Sequence, residues 1–232
     1  MNFNSDTRIL VVAAHPDDEV LGMGGTLARA IAHGAQVCVL FLGEGISARF
    51  PVGQYDSQEF RDQTALRMAG SQKALATLGI SNAIYGSHWC AQFDTIPLIQ
   101  LTKEIERVME SFRPTMLFTH TLSEVNVDHR VCHQAVEIAC RPTRPWIPKE
   151  IYCFEIICSG NWTFETTFKP NMYVDISKYW QKKLDAWHYY AGESRPFPFP
   201  RSDKGLETQA HFRGLACGIE KAEAFKLLRK II

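Results

Sequence analysis

A chain of 232 residues with 46% apolar and 22% charged side chains is long enough for one domain with a full core, and its composition excludes a disordered chain. Its 25 basic residues balance 25 acidic ones, so no basic excess marks a nucleic-acid backbone or an anionic membrane surface as partner, and a small molecule is expected instead. No apolar run is long enough for a transmembrane segment, MNFNSDTR lacks the marks of a secretory signal, and seven cysteines form no CxxC pair, so a cytoplasmic protein with free thiols is expected.

In chain order, Arg8–Ala14 is a nearly continuous apolar run, as for a parallel strand buried on both faces. Val20–His33 follows as a helix closed by Gly34, then Gln36–Leu42 as a second buried strand. Gln58–Leu78 reads as a helix ending at Gly79, and Asn82–Tyr85 as a short strand. Over Ile96–Phe112 the positions Leu98, Leu101, Ile105, Val108 or Met109, and Phe112 recur at helical spacing, with Pro97 acceptable in the first turn. Thr115–His120 is a strand and Asp128–Cys140 a helix. Three prolines then interrupt Arg141–Pro148; Ile151–Ile157 and Met172–Ile176 read as strands, and Lys178–Tyr190 and Glu220–Ile231 as helices, separated by the proline-rich loop Arg195–Ser202. The rhythm predicts one α/β domain over residues 1–232: a Rossmann-like, mostly parallel sheet with helices on both faces and an elaborated C-terminal third.

Open parallel sheets collect ligands beyond the carboxyl ends of their strands. Two segments there are rich in metal-binding side chains, Ala14-His15-Pro16-Asp17-Asp18-Glu19 and Asn126-Val127-Asp128-His129. An imidazole and a carboxylate three residues apart across a strand-to-helix bend can reach one ion, and a second imidazole from another loop completes a three-ligand zinc site with a position open for water. Asp17 is then free to act as a base. The same acidic run is also an ordinary helix cap with an acidic first turn, and His133, one turn beyond His129, competes with it as ligand.

AHPDDE after a first strand, with a later DH pair, resembles the PIG-L/LmbE-type zinc-dependent de-N-acetylases. The likeness continues through Arg67, twelve residues before Gly79, and through FDTIPL at 93–98, FTH at 118–120, NVDHRVCHQA at 126–135 and CRP at 140–142. It runs on through FKPNMYVDIS at 168–177, PRS at 200–202 and AEAF at 222–225. The resemblance implies that His15, Asp18 and His129 bind Zn2+, that Asp17 is the general base, and that Asp128 orients an imidazole or helps hold the site. It implies Arg67 as a contact to the substrate or the released acyl group, and an acetylated amino-sugar substrate. Where many members have a histidine, Asn126 stands here, with only an amide to offer an oxyanion; His120 or Arg130 could assist instead. Cys90-Ala91 and Phe199 replace polar family residues, which points to altered substrate recognition.

Three weaker signals remain. Gly22-Met23-Gly24-Gly25 fails as a dinucleotide loop and reads as close helix–sheet packing. Trp180, Trp187, Tyr189 and Tyr190 read as packing before a sugar platform, and Arg195 and Arg201 as either phosphate contacts or solvated charges. Deacylation of a non-sugar amide and a non-catalytic sugar- or nucleotide-binding domain are the competing functions, and self-association into a homo-oligomer is allowed by the sequence.

Overall fold

The computed structural model describes residues 1–144 and 146–232, so Pro145 of the proline-interrupted segment lies outside the described residues. Among the described residues, seven strands form one sheet: β1 (Arg8–Ala13), β2 (Gln36–Gly43), β3 (Asn82–His88), β4 (Met116–His120), β5 (Glu150–Phe154), β6 (Met172–Asp175) and β7 (Ala222–Lys230). Their spatial order is β3-β2-β1-β4-β5-β7-β6. The first five run parallel, and β7 pairs antiparallel with both β5 and β6. The described residues also form six α-helices: α1 (Asp18–Ala32), α2 (Gln58–Leu78), α3 (Leu98–Phe112), α4 (Val127–Ala139), α5 (Trp180–Trp187) and α6 (Asp203–Leu215).

Period-two alternation in β1 divides the core. Ile9, Val11 and Ala13 pack with α1, α2 and α5, while Leu10, Val12 and Ala14 pack with α3 and α4. Both faces of β1 are therefore buried, which is why its sequence reads as an unbroken apolar run. Helix α3 buries Leu101, Ile105, Val108, Met109 and Phe112, the stripe its spacing announces. Ser57 caps α2 by accepting from the Phe60 N–H at 3.1 Å, and Gly79 ends it in the left-handed region at φ 87°. The glycine run in α1 serves close packing: a Cβ at Gly22 would lie 2.5 Å from the Phe154 ring, and one at Gly25 2.8 Å from Ile176.

The C-terminal third departs from expectation in two places. Glu220–Ile231 is not a helix; Ala222–Lys230 is strand β7, inserted between β5 and β6. Its composition favours a helix, but antiparallel pairing to two strands and burial of Phe225 in the core outweigh that weak preference. Helix α6 was not anticipated, because Gly205 in its first turn hides a start that Ser202 caps through the Gly205 N–H at 3.0 Å.

Strand order reverses between β1 and β4, so a crevice opens beyond their carboxyl ends. His15 follows β1, and the loop 121–126 follows β4. The fold thus brings the two ligand-rich segments to the topological switch point.

Candidate metal centre and the carboxylate beside it

Three side chains meet at this crevice. His15, Asp18 and His129 offer ligand atoms that all lie within 4.8 Å of one another, and all three residues are buried. His129 Nε2 lies 3.3 Å from Asp18 Oδ1, and His15 Nδ1 lies 3.7 Å from Asp18 Oδ2. Each imidazole turns its other nitrogen to a further carboxylate. His15 Nε2 is 2.8 Å from Asp128 Oδ2, and Asp128 is fixed in turn by the Ala91 and Phe93 N–H groups at 2.5 and 3.0 Å. His129 Nδ1 is 3.2 Å from Glu124 Oε2, out of line for a hydrogen bond, and neither atom has another partner.

The donor set fits a cation. Asp18, Asp128 and Glu124 are buried around the imidazoles, and among the described residues no lysine or arginine pairs with any of the three carboxylates. Buried anions of this density need a compensating positive charge. Burial pulls the His129 pKa down, yet Asp18 and Glu124 outweigh it and lift it to about 9, the response of an imidazole placed where positive charge is wanted. Carboxylates behind each ligand imidazole fix ring orientation and raise ligand basicity.

Asp17 answers the helix-cap reading. It stands at the N-cap of α1, but its side chain makes no capping hydrogen bond, and its φ is 136°. A non-glycine residue held there stores ~1–3 kcal/mol of strain. Instead of capping, the carboxylate turns to two guanidinium groups, with Arg67 Nη2 at 3.0 Å and Arg201 Nη1 at 3.2 Å. Burial raises the Asp17 pKa to about 6 against the opposing pull of Arg67 and Arg201. Its backbone N–H donates to Glu19 Oε2 at 3.0 Å, which helps hold the strained turn.

Other expected site residues fall into distinct places. His120 lies behind the cluster: its ring stacks on His129 at 4.0 Å, its Nε2 accepts from the Ala14 N–H at 2.9 Å, and it is fully buried. Burial, then the neighbouring His129, lowers its pKa to about 4, so it is neutral there. In this position it packs against His129 and lies 3.4 Å from Asp18 Oδ2. Asn126 caps α4, its Oδ1 accepting from the Asp128 N–H at 2.9 Å, which leaves Nδ2 as its remaining donor. His133 hydrogen-bonds the His120 carbonyl at 2.7 Å and is not part of the cluster. Arg130 braces the Glu124 and Val125 carbonyls.

Sequence reading missed Glu124 and Glu193. Glu124 stands five residues before His129, in the loop that leads into α4, and a count of carboxylates around the DH pair would have found it. Glu193 contacts Arg49, Arg67 and Arg201, and no local pattern announces it. Cys90 also stands near His15 and Asp128, the candidate ligand atoms of all three lying within 4.8 Å of one another, so a thiol sits beside the cluster.

A doubly wound α/β domain with an imidazole–carboxylate centre at its switch point is the class that this fold and site define. The sequence model of the family described as PIG-L, GlcNAc-PI de-N-acetylase, matches residues 10–140, more than half of the chain, and the chain belongs to that family. It is 27% identical to the diacetylchitobiose deacetylase of Thermococcus kodakarensis, over 97% of this chain and 85% of that protein. The structure of N,N'-diacetylchitobiose deacetylase from Pyrococcus horikoshii superposes with a TM-score of 0.76 at 21% identity, covering 96% of this chain and 84% of that one. The 4-carboxy-2-hydroxymuconate hydratase of Pseudomonas putida superposes comparably, with a TM-score of 0.74 at 19% identity over 97% of this chain and 98% of that one. Folds this alike with differently named activities leave the chemistry to be argued from side chains.

Proposed function

We propose that this chain is a zinc-dependent N-deacetylase that hydrolyses the acetamide of an acetylated amino sugar. The observation that carries this reading is the Asp17 carboxylate, turned away from the helix it begins and held by two arginines beside the His15–Asp18–His129 cluster. A divalent ion held by His15, Asp18 and His129 would supply Lewis acidity toward the amide carbonyl and acidify a nearby water. Asp17 takes the proton of the attacking water and returns one to the leaving nitrogen as the carbon–nitrogen bond breaks, releasing acetate and the free amine. Asp128 and Glu124 orient the two imidazoles, Asn126 Nδ2 is the donor left for the substrate carbonyl oxygen, and Arg67 and Arg201 hold Asp17 in place and face the substrate.

The names of the relatives support an N-acetylglucosamine unit as substrate. Free, nucleotide-linked and lipid-linked forms, in surface-glycan or thiol-sugar synthesis, make up the proposed range. Zinc suits the two imidazoles and one carboxylate, although iron or cobalt would also be accepted by them. The seven free cysteines agree with a cytoplasmic location, and among the described residues no helix is long and apolar enough to cross a membrane.

The test is metal content and product amine measured together. Asp17→Asn is expected to keep stoichiometric metal and lose about 10²–10⁴-fold in turnover, the usual worth of a general base. His15→Ala is expected to lose the metal. Full activity in the first variant, or full metal in the second, sinks the respective assignment. A metal-free native protein that binds sugars without turning them over would favour the regulatory alternative.

A further inference from the structure

Beside Asp17 the structure places more positive charge than catalysis uses. Arg49, Arg67 and Arg201 come from three distant parts of the chain and converge on one carboxylate, Glu193. Arg67 and Arg49 both pair closely with Glu193 Oε1, and Arg201 Nη1 lies 3.5 Å from Oε2. Arg67 and Arg201 are shared with Asp17, so three guanidinium groups face only two carboxylates. Their acceptors fall short accordingly: Nε of Arg67 and Nε of Arg201 are buried with no partner, and the Arg67 side chain is only 8% exposed. Against this cluster opens a cavity of about 410 Å³, lined by Arg49, Arg67 and Glu193 with the apolar walls of Ile46, Leu66 and Tyr190. That is the size of a small-ligand pocket, and Arg67 in its wall contacts the proposed base.

Glu193 ends the short 3-10 turn His188–Glu193 and borders this cavity, so a rotation of its side chain alone would clear the guanidinium groups. Once it leaves, three guanidinium groups and Asp17 carry a net charge of about +2, which matches a phosphate monoester of about −1.5 to −2 at neutral pH. Guanidinium forks favour such tetrahedral oxyanions through paired, charge-assisted hydrogen bonds.

We propose that Arg49, Arg67 and Arg201 form a phosphate subsite for a phosphorylated amino sugar, and that Glu193 is its built-in occupant, displaced when the substrate phosphate enters. This rests on the deacetylase reading for the sugar part, and it names the substrate class more narrowly. Glu193 then acts as an internal competitor: it keeps the arginines ordered before binding and weakens the hold on every anion by the cost of its own displacement.

The test titrates metal-loaded protein calorimetrically with glucosamine 6-phosphate, glucosamine 1-phosphate and unphosphorylated glucosamine. These are reaction products, so binding is read without turnover, and the two phosphates report which sugar position reaches the subsite. At least one phosphate is expected to bind tenfold or more tightly than the neutral amine. Glu193→Gln should widen that preference several-fold, and Arg49→Ala should reduce it about tenfold, with thermal melts checking that both variants fold. No preference for either phosphate, or a preference that neither substitution moves, overturns the subsite. Turnover of acetylated sugars is assayed separately. Preference without turnover counts against the deacetylase reading alone, and turnover without preference counts against the subsite alone.

Discussion

Two residues beside the cluster make separable contributions at the residue scale. Glu124 touches the outer nitrogen of His129 and is buried without another side-chain partner for Oε2, so its charge acts on that imidazole. Glu124→Gln is expected to weaken metal binding about 10–100-fold, the usual effect of removing a carboxylate behind a ligand histidine, measured by competition with a chromogenic chelator. An unchanged affinity would mean that the contact is incidental. Ala91 holds a left-handed backbone at φ 62° so that its N–H can reach Asp128 at 2.5 Å. Alanine costs ~1–2 kcal/mol in that region and glycine does not, so Ala91→Gly should stabilise the fold by about 1 kcal/mol, a rise of roughly 2–4 °C in Tm. A lower Tm would show that the loop is not strained. The DD pair of the metal motif was legible because its residues are neighbours, whereas Glu124 and Glu193 were not, because their partners are fixed by loop paths that no spacing rule describes.

Among the elements, α1 has the most demanding position, since it carries Asp18 at its first turn and bends at Met23, where φ is −155°. Glu223 of β7 holds that bend by accepting from the Gly25 and Thr26 N–H groups at 3.0 and 2.7 Å. Lys183 of α5 closes the arrangement, donating to Glu223 at 2.6 Å and to the Leu21 carbonyl at 2.9 Å. Glu223→Ala leaves a buried lysine without its counter-ion and two amides without acceptors. The expected loss is ~3–5 kcal/mol, or on the order of 10 °C in Tm, read by thermal or urea melts. A loss below about 1 kcal/mol, the ceiling for an exposed pair, would show that water reaches this pair. The same arrangement explains why AEAF at 222–225 was legible as a likeness while its secondary structure was misread: a strand with the composition of a helix is recognised only by what it pairs with.

For the molecule as a whole, the sheet sets β1 and β4 side by side, and the His15–Asp18–His129 cluster, Asp17 and its two arginines gather at their carboxyl ends. A ligand that binds only the folded arrangement stabilises it in proportion to the logarithm of its concentration. Zinc at about a hundredfold over its Kd is therefore expected to add ~2.7 kcal/mol, and a chelator to remove it, a difference of roughly 5–10 °C in Tm. Asp17→Asn should keep that difference, and His15→Ala should lose most of it. Equal melting with and without zinc in the native protein would exclude a metal bound at the folded site.

What the sequence by itself determined is the alternation of strands and helices through residue 140 and the grouping of acid and imidazole in two segments after two strands. Apolar periodicity, capping and motif chemistry are written within a few neighbouring residues, so they can be read before the chain folds. Only the tertiary structure decided that Glu220–Ile231 holds a strand, that Asp17 faces two arginines instead of its own helix, and that Arg49, Arg67 and Arg201 surround Glu193. Each of these depends on groups brought together from across the chain, and their partners exist only once the sheet has closed.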